Sequence, residues 1–200
     1  MLRPVEIEAY GLLLRPWEEG DAPDMLRGLT DPDYLRWNPP AAEPVEDIEG
    51  AIDFVRTRAL GWRRGETASF AVLEDGVVRG SINVNSIDPR TGSGRVGYWT
   101  LPEARGRRLA SRALEACTRW AFRDLGLHRL ELGHAVGNDA SCGVARRCGY
   151  AYEGTLRDAL PDVDGGFLTV HLHARLATDP APDVTAARVA ARADGRTKDR

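Results

Sequence analysis

The sequence predicts an α/β domain built on a mixed sheet with helices on its faces. Three observations carry that expectation. Strand-like segments follow one another with no intervening helix across 69–101, the first two joined by Asp75-Gly76, a dipeptide suited to a two-residue hairpin. Helical periodicity brackets that run, with apolar residues on one face at 44–64 before it and at 109–125 after it. Beyond residue 126 strand, helix and two further strands follow, giving the order β-α-α-β-β-β-α-β-α-β-β. A nucleotide-binding domain of wholly parallel βα units is disfavoured by the adjacent strands.

Taken in order, residues 5–15 alternate into Leu12-Leu13-Leu14 and predict one strand, ended by Arg15-Pro16-Trp17. Residues 18–29 predict a short helix entered through acidic side chains, which suit its positive end. Asp31-Pro32 and Asn38-Pro39-Pro40 punctuate a loop that carries Tyr34 and Trp37. Residues 44–64 predict the second helix, with Val45, Ile48, Ile52, Val55 and Leu60 as its buried side. The three adjacent strands cover 69–73, 77–87 and 95–101, with Val78, Ile82 and Val84 pointing inward and a flexible turn at 88–94.

The third helix carries Leu109, Ala110, Ala113, Leu114, Cys117, Trp120 and Ala121 on one face and closes at Gly126. A strand at 128–136, a short helix at 140–148 entered through Asn138-Asp139, and strands at 150–156 and 167–176 complete the order. An acidic connection at 158–166 joins the last two. Residues 1–177 are therefore expected to form the domain. Residues 178–200, rich in Ala, Asp, Arg and Pro, read as a poorly ordered tail in which 184–193 form at most a transient helix.

Bulk properties narrow the function classes. Two hundred residues suffice for one sizeable core, and 42% hydrophobic with 28% charged content is ordinary for a globular chain. A net charge of −3 gives no electrostatic case for nucleic-acid or membrane binding. No apolar run approaches the roughly 18 residues of a transmembrane helix, and the N-terminus lacks the apolar stretch of a signal peptide. Three cysteines, Cys117, Cys142 and Cys148, are an odd and sparse set that suits free thiols in a cytoplasm.

The most informative stretch runs Thr100-Leu101-Pro102-Glu103-Ala104-Arg105-Gly106-Arg107-Arg108-Leu109-Ala110. It joins an apolar, aromatic strand to the long amphipathic helix. A turn of this kind aims unpaired backbone N–H groups and the positive end of the helix dipole at one point, here surrounded by arginines. Such a point favours a phosphorylated ligand.

The element order, the R-G-R-R-L-A turn and the later Asn138-x-x-Ser141-x-x-Val144-Ala145-x-x-x-Gly149-Tyr150-x-x-Glu153-Gly154 together resemble the GNAT superfamily of acyl-CoA N-acyltransferases, in particular its RimJ/RimL-like branch, named for acetylation of ribosomal-protein N-termini. The resemblance covers roughly residues 8–177. It implies a splayed central sheet and acetyl-CoA as co-substrate, with a primary amine of a protein N-terminus or a small molecule as acceptor. It further implies that backbone N–H groups of Arg105, Gly106, Arg107, Arg108, Leu109 and Ala110 hold the CoA diphosphate. Trp99, Thr100 and Leu101 would pair with the pantetheine arm at a bulge, and Asn138 would contact a pantetheine amide. Ser141 would stand near the sulfur as proton donor to the departing thiolate.

The chain departs from the family pattern at three places. Arg108 stands at the loop position that is usually Gly, where its Cβ crowds the phosphate or its guanidinium adds a charge-assisted contact. Arg95 and Gly133 stand where relatives carry a Glu that takes the proton of the amine. Without a strong base, a lysine amine of pKa about 10.4 costs about 4 kcal/mol to present neutral near pH 7.5, against under about 1 kcal/mol for an α-amine of pKa about 7.8. An α-amine or a small amine of low pKa is therefore the expected acceptor. The same departures support an alternative, a catalytically weak CoA-binding module.

The remaining residues keep two readings each. Ser141 and Asn138 suit a helix cap as well as a catalytic or binding role. Trp37, with Tyr34 and Trp62, lines an acceptor groove or anchors packing, and Arg95 and Asp158 are assigned to the acceptor side. Glu103, Glu131, Asp158 and Asp162 are the residual carboxylate candidates for a base. His134 reads as a buried histidine ahead of a base. His171 and His173 share a strand face but lack a Cys or Asp companion, so no metal is expected. Cys142 and Cys148 read as small core residues, and Arg63-Arg64 and Arg146-Arg147 as solvated, with Arg146 the one placed to approach the adenosine end of CoA. The edge of the last strands offers a pairing surface for a homodimer.

Overall fold

Tight turns set the register of the N-terminal half. In the computed structural model, which describes residues 2–38, 44–162 and 165–185, Tyr10 and Gly11 take positive φ of 56° and 71°. They fold the expected first strand into a hairpin, β1 (Ile7–Ala9) and β2 (Leu12–Pro16). A two-residue turn of this hand needs two left-handed residues, and Tyr is an uncommon first one, so the sequence carries little sign of it. Asp75 and Gly76 adopt the same conformation, φ 53° and 75°, between β3 (Ala68–Glu74) and β4 (Val77–Asp88), as expected. The expected flexible turn at 88–94 is shorter, confined to 89–92: β4 reaches Asp88, whose Oδ1 accepts the Arg90 N–H at 2.9 Å, and β5 (Ser93–Thr100) follows.

The helices follow their caps. A 3-10 turn at Glu19–Asp21 leads into α1 (Ala22–Leu29). The expected loop around Tyr34 is a helix, α2 (Pro32–Trp37), because Asp31 accepts the Tyr34 N–H at 3.0 Å and Pro32 occupies the first helical position. Pro39 and Pro40 lie outside the described residues. The next helix, α3 (Ile48–Arg64), starts four residues late, at its Asp47 cap. It buries Ala51, Val55 and Trp62, whereas Ile48 and Leu60, two of the expected inward residues, are exposed. Leu60 lies about 140° around the helix from Val55, so it cannot share that face. The long helix α4 (Leu109–Arg123), β6 (Arg129–Ala135), α5 (Asp139–Arg147), β7 (Ala151–Pro161) and β8 (Phe167–Leu176) complete the chain. None of the helices described is long and apolar enough to cross a membrane.

The eight strands form one sheet in the order β1-β2-β3-β4-β5-β6-β8-β7, antiparallel throughout except for β5 beside β6. Alternate residues of β3 feed two apolar clusters on opposite faces. Phe70 and Val72 join Leu114, Cys117, Trp120 and Tyr150 on the α4 side, while Ala71 and Leu73 join Trp17, Met25, Leu29 and Val55 on the α1–α3 side. Cys148 is buried, as expected for a core residue, and Cys142 is half-buried. Past residue 177, Val184 seats in the first cluster at 1% exposure. Residues 186–200, the rest of the expected tail, and Val163 and Asp164 of the acidic connection lie outside the described residues.

One buried ion pair ties α4 to the C-terminal strands. Glu115 and Arg175, with side chains 0% and 4% exposed, are hydrogen-bonded, and Arg175 also donates to the Cys148 carbonyl at 3.1 Å. Removing one partner strands a charge in the core, which typically costs about 3–5 kcal/mol. Urea unfolding of Arg175→Ala is expected to show a loss of that size, and Glu115→Gln/Arg175→Met, which leaves no charge behind, a much smaller one.

Candidate active site

The site begins where two neighbouring strands part. β5 and β6 pair only through Ser93↔Arg129, Gly94↔Leu130 and Arg95↔Glu131. Beyond Arg95, β5 continues along β4 to Thr100, while β6 continues along β8 to Ala135. The gap between the diverging ends is a cavity of about 640 Å³, walled by residues 96–100 and 132–135. The start of α4, the first turn of α5 and the α2 residues Asp33, Tyr34 and Trp37 close it. The expected splay of the central sheet is therefore present. The backbone irregularity near it lies on β4, between Asn85 and Asp88 with Ser86 at φ 50°, and not on β5 itself.

Hydrogen-bond alternation decides which groups of β5 face the gap. Leu101 N–H donates to the Arg79 carbonyl at 2.9 Å, next to the Gly80↔Thr100 pair. In an antiparallel ladder this makes Trp99 and Leu101 the residues bonded to β4, and leaves the N–H and C=O groups of Val96, Tyr98 and Thr100 facing the opening. Of the three residues expected to pair with a pantetheine arm, only Thr100 presents its backbone there. Leu101 is fully buried, and its carbonyl accepts the Ala104 N–H at 2.9 Å. Trp99 borders the cavity, but its indole packs on α1 at Gly28, where a Cβ would come within 2.3 Å of the ring. The Tyr98 backbone faces the gap beside that of Thr100.

The basic turn is only partly what its charges suggested. Arg108 is the N-cap of α4 in the left-handed conformation, φ 59° and ψ 17°, with no side-chain cap, so the amides of the first helical turn lack intrahelical acceptors. Arg105, Gly106, Arg108, Leu109 and Ala110 border the cavity. Among the described residues, carboxylates hold Arg105 and Arg107, and Arg108 donates to the Thr185 carbonyl at 3.4 Å. Arg105 pairs with Asp31 and, at 2.6 Å, with Asp33, which fastens the turn to α2. Arg107 pairs at 2.6 Å with Glu74, which also receives Arg112 at 2.7 Å, and Arg107 does not reach the cavity. Arg147, expected in solvent, borders the cavity, Arg146 does not, and Arg147 donates to Ser111 Oγ at 3.1 Å.

Two hydroxyls meet at the wall. Asn138 caps α5 by accepting the Ser141 N–H at 3.0 Å, so the cap reading holds for Asn138, while Ser141 lies in the first turn and its side chain caps nothing. Ser141 Oγ in turn lies 2.8 Å from Tyr98 OH. Burial pushes the Tyr98 phenol far above its ordinary range, so it stays protonated. Both residues border the cavity.

Other assignments move. Arg95 lies at the closed end of the splay with its side chain 71% exposed, paired with Glu131 at 3.4 Å and outside the cavity. Asp158 sits on exposed β7 at φ 51°, where the register of β7 against β8 slips, and does not border the cavity either. Trp37 does border it. Trp62, the other candidate for an acceptor groove, is buried against Phe70 and Trp120. Among the residual carboxylates, Glu103 is hydrogen-bonded by Arg27 at 2.7 Å, which pulls it below the usual range, and Glu131 is shared by Arg95 and Arg129. Asp33 is the one carboxylate among the described cavity residues, and Arg105 holds it. His134 borders the cavity and is buried, and that burial lowers its pKa.

Comparison with known proteins fits this geometry. Residues 11–151 match the acetyltransferase (GNAT) domain family. The Bacillus subtilis (strain 168) protein YdaF, whose name assigns it provisionally to ribosomal N-acetylation, is 34% identical over 120 residues, 58% of this chain and 66% of its own length, just under two thirds. The ribosomal-protein-serine acetyltransferase of Escherichia coli (strain K12) is 29% identical over 66% of this chain and 73% of its own. Mycobacterium smegmatis RimJ, solved in complex with CoA-disulfide, superposes with a TM-score of 0.79 at 23% identity, covering 89% of this chain and 90% of that one. Since the matched residues run from the first hairpin to the start of β7 and contain the parted strands, the basic turn and both hydroxyls, the chain belongs to the GNAT acetyltransferase family.

Proposed function

We propose that this GNAT acetyltransferase transfers the acetyl group of acetyl-CoA to the α-amine of a protein N-terminus, a ribosomal protein being the first class of acceptor to test. The observation that carries the reading is the parting of β5 from β6 beside the paired hydroxyls of Tyr98 and Ser141. The outward-facing groups of Val96, Tyr98 and Thr100 suit the amides of pantetheine, and the α4 amides with Arg108 and Arg147 suit a diphosphate. Acetyl-CoA then places its thioester toward Ser141. The amine attacks the thioester carbonyl, the C–N bond forms and the C–S bond breaks. The departing thiolate takes the Ser141 proton, which solvent in the open cavity restores, while Tyr98 OH stays protonated and hydrogen-bonds Ser141 Oγ. The proton of the amine goes to solvent, since the cavity offers no unpaired carboxylate among its described residues.

The names of the relatives support the ribosomal acceptor, and the lack of a base supports an α-amine over a lysine. A catalytically weak CoA-binding module is not favoured, because the E. coli relative is named as a transferase and the hydroxyl pair is intact. A small-molecule amine of low pKa remains the second acceptor class, and the free thiols support a cytoplasmic setting.

The deciding measurement is thiol release from acetyl-CoA with an N-terminal peptide against the same peptide blocked at its α-amine and carrying one lysine. The difference in deprotonation cost predicts about a hundredfold preference for the α-amine near pH 7.5. A preference for lysine overturns the reading. Ser141→Ala is expected to lower kcat by about a hundredfold, the usual size of a lost proton donor, with KM for acetyl-CoA little changed. Tyr98→Phe should lower kcat by less.

Arg108 separates backbone strain from charge. Arg108→Gly relieves a left-handed non-glycine residue and should stabilise the fold by about 1 kcal/mol. Arg108→Ala keeps the strain. Both remove a charge-assisted contact of about 1.5 kcal/mol and should raise KM for acetyl-CoA about tenfold, with kcat unchanged.

A further inference from the structure

The fold brings together three histidines that the chain keeps apart. His134 lies on β6, and His171 and His173 on β8, with pairings His134↔His171 and Leu132↔His173 that place all three on one face of the sheet. One ring nitrogen of each falls within 4.8 Å of the others, and His134 and His173 are buried. The sequence offered only the 171/173 pair, because His134 is 39 residues from His173.

The tautomers are set by carbonyls. His134 Nδ1 lies 3.0 Å from the Ala135 carbonyl and His173 Nδ1 lies 3.2 Å from the Tyr150 carbonyl. A carbonyl only accepts, so each Nδ1 carries the hydrogen and each Nε2 of the neutral ring is bare. Those two Nε2 atoms face one another at 3.3 Å. Two lone pairs in that position repel unless a proton or a metal ion lies between them. His134 and His173 are 5% and 0% exposed, so bulk water does not separate the two rings. The separation suits an ion instead. Two ligands at about 2.05 Å from a tetrahedral zinc lie about 3.3 Å apart. An Nδ1–H donated to a backbone carbonyl is also the usual support of a metal-binding histidine.

We propose that His134, His171 and His173 form a binding site for a borderline divalent transition cation, zinc foremost. The all-imidazole donor set excludes magnesium and calcium, which need oxygen ligands. His171, half-buried, with its ring centroid 5.4 Å from that of His134, completes the set by turning inward. Three protein ligands leave one position open. Since His134 also borders the cavity, that position lies beside the reaction site.

The test is titration of chelator-treated full-length protein with zinc chloride by calorimetry, with the metal content of the dialysed sample measured separately. One zinc per chain is expected, and Co²⁺ in its place should give the visible absorption of a four-coordinate ion. His134→Gln and His173→Gln should each abolish stoichiometric uptake. His128→Gln, which removes the fourth and exposed histidine of the chain, should leave it intact. The Co²⁺ spectrum of the unaltered protein decides the matter if those variants fail to fold. Absence of stoichiometric uptake, uptake retained in His134→Gln and His173→Gln, uptake lost in His128→Gln, or a six-coordinate cobalt spectrum each overturns the assignment.

Discussion

Backbone hydrogen bonding is the constraint from which the site follows. An inner strand must satisfy donors and acceptors along both edges, because a buried backbone group left without a partner costs about 1–3 kcal/mol. β5 meets that requirement on its β4 side along its whole length, and β6 meets it against β8. Between them the ladder stops at Arg95 and Glu131. The two outer ladders hold the strands apart, so the inner edges beyond that point are available to water or to a ligand that offers amides of its own. An extended chain with alternating donors and acceptors is the ligand such an edge fits best.

Ion pairs keep the gap in register at both ends. At the closed end, Arg95, Glu131, Arg129 and Glu153 form a line of alternating charge across β5, β6 and β7, with Arg129 donating to Glu153 at 2.8 Å. At the open end, Arg105 holds α2 through Asp31 and Asp33, and Arg107 holds β3 through Glu74. The cations of the turn therefore act mainly as fasteners. What they fasten is the start of α4, whose unsatisfied amides supply directional anion binding that flexible, exposed side chains do not.

This division explains what the sequence made legible. Element type and order came through where periodicity was strong, as in α4, or where a turn dipeptide was unambiguous, as at Asp75-Gly76. The Tyr10-Gly11 hairpin and α2 did not, because a single Tyr at positive φ and one Asp-Pro cap are weak local signals beside the apolar run and the prolines around them. Ser141, Asn138 and the α4 start were legible because their motif spacing fixes their place. Tyr98 was not, since which residues of β5 face the gap depends on the parity of its ladder with β4, a property of the pairing and not of the strand. Arg95 and Arg107 lie outside the cavity for a related reason. Charge marks a residue as able to bind an anion or an acceptor, but only the fold shows that Glu131 and Glu74 already hold these two.

The same parity bears on the chemistry. Once Trp99 and Leu101 are bonded to β4, the residue between them and the two before Trp99 cannot all turn the same way, and Tyr98 is set toward α5. There the Asn138 cap fixes the backbone of Ser141, so both hydroxyls are positioned by main-chain hydrogen bonds and not by mobile side chains. Carboxylates in this neighbourhood are held by arginines, and His134 is turned toward another imidazole. The arrangement is well provided with proton donors and poor in proton acceptors. Such a site assists departure of a thiolate and leaves loss of the amine proton to the amine itself, which selects acceptors by their own acidity before any contact with their side chains is made.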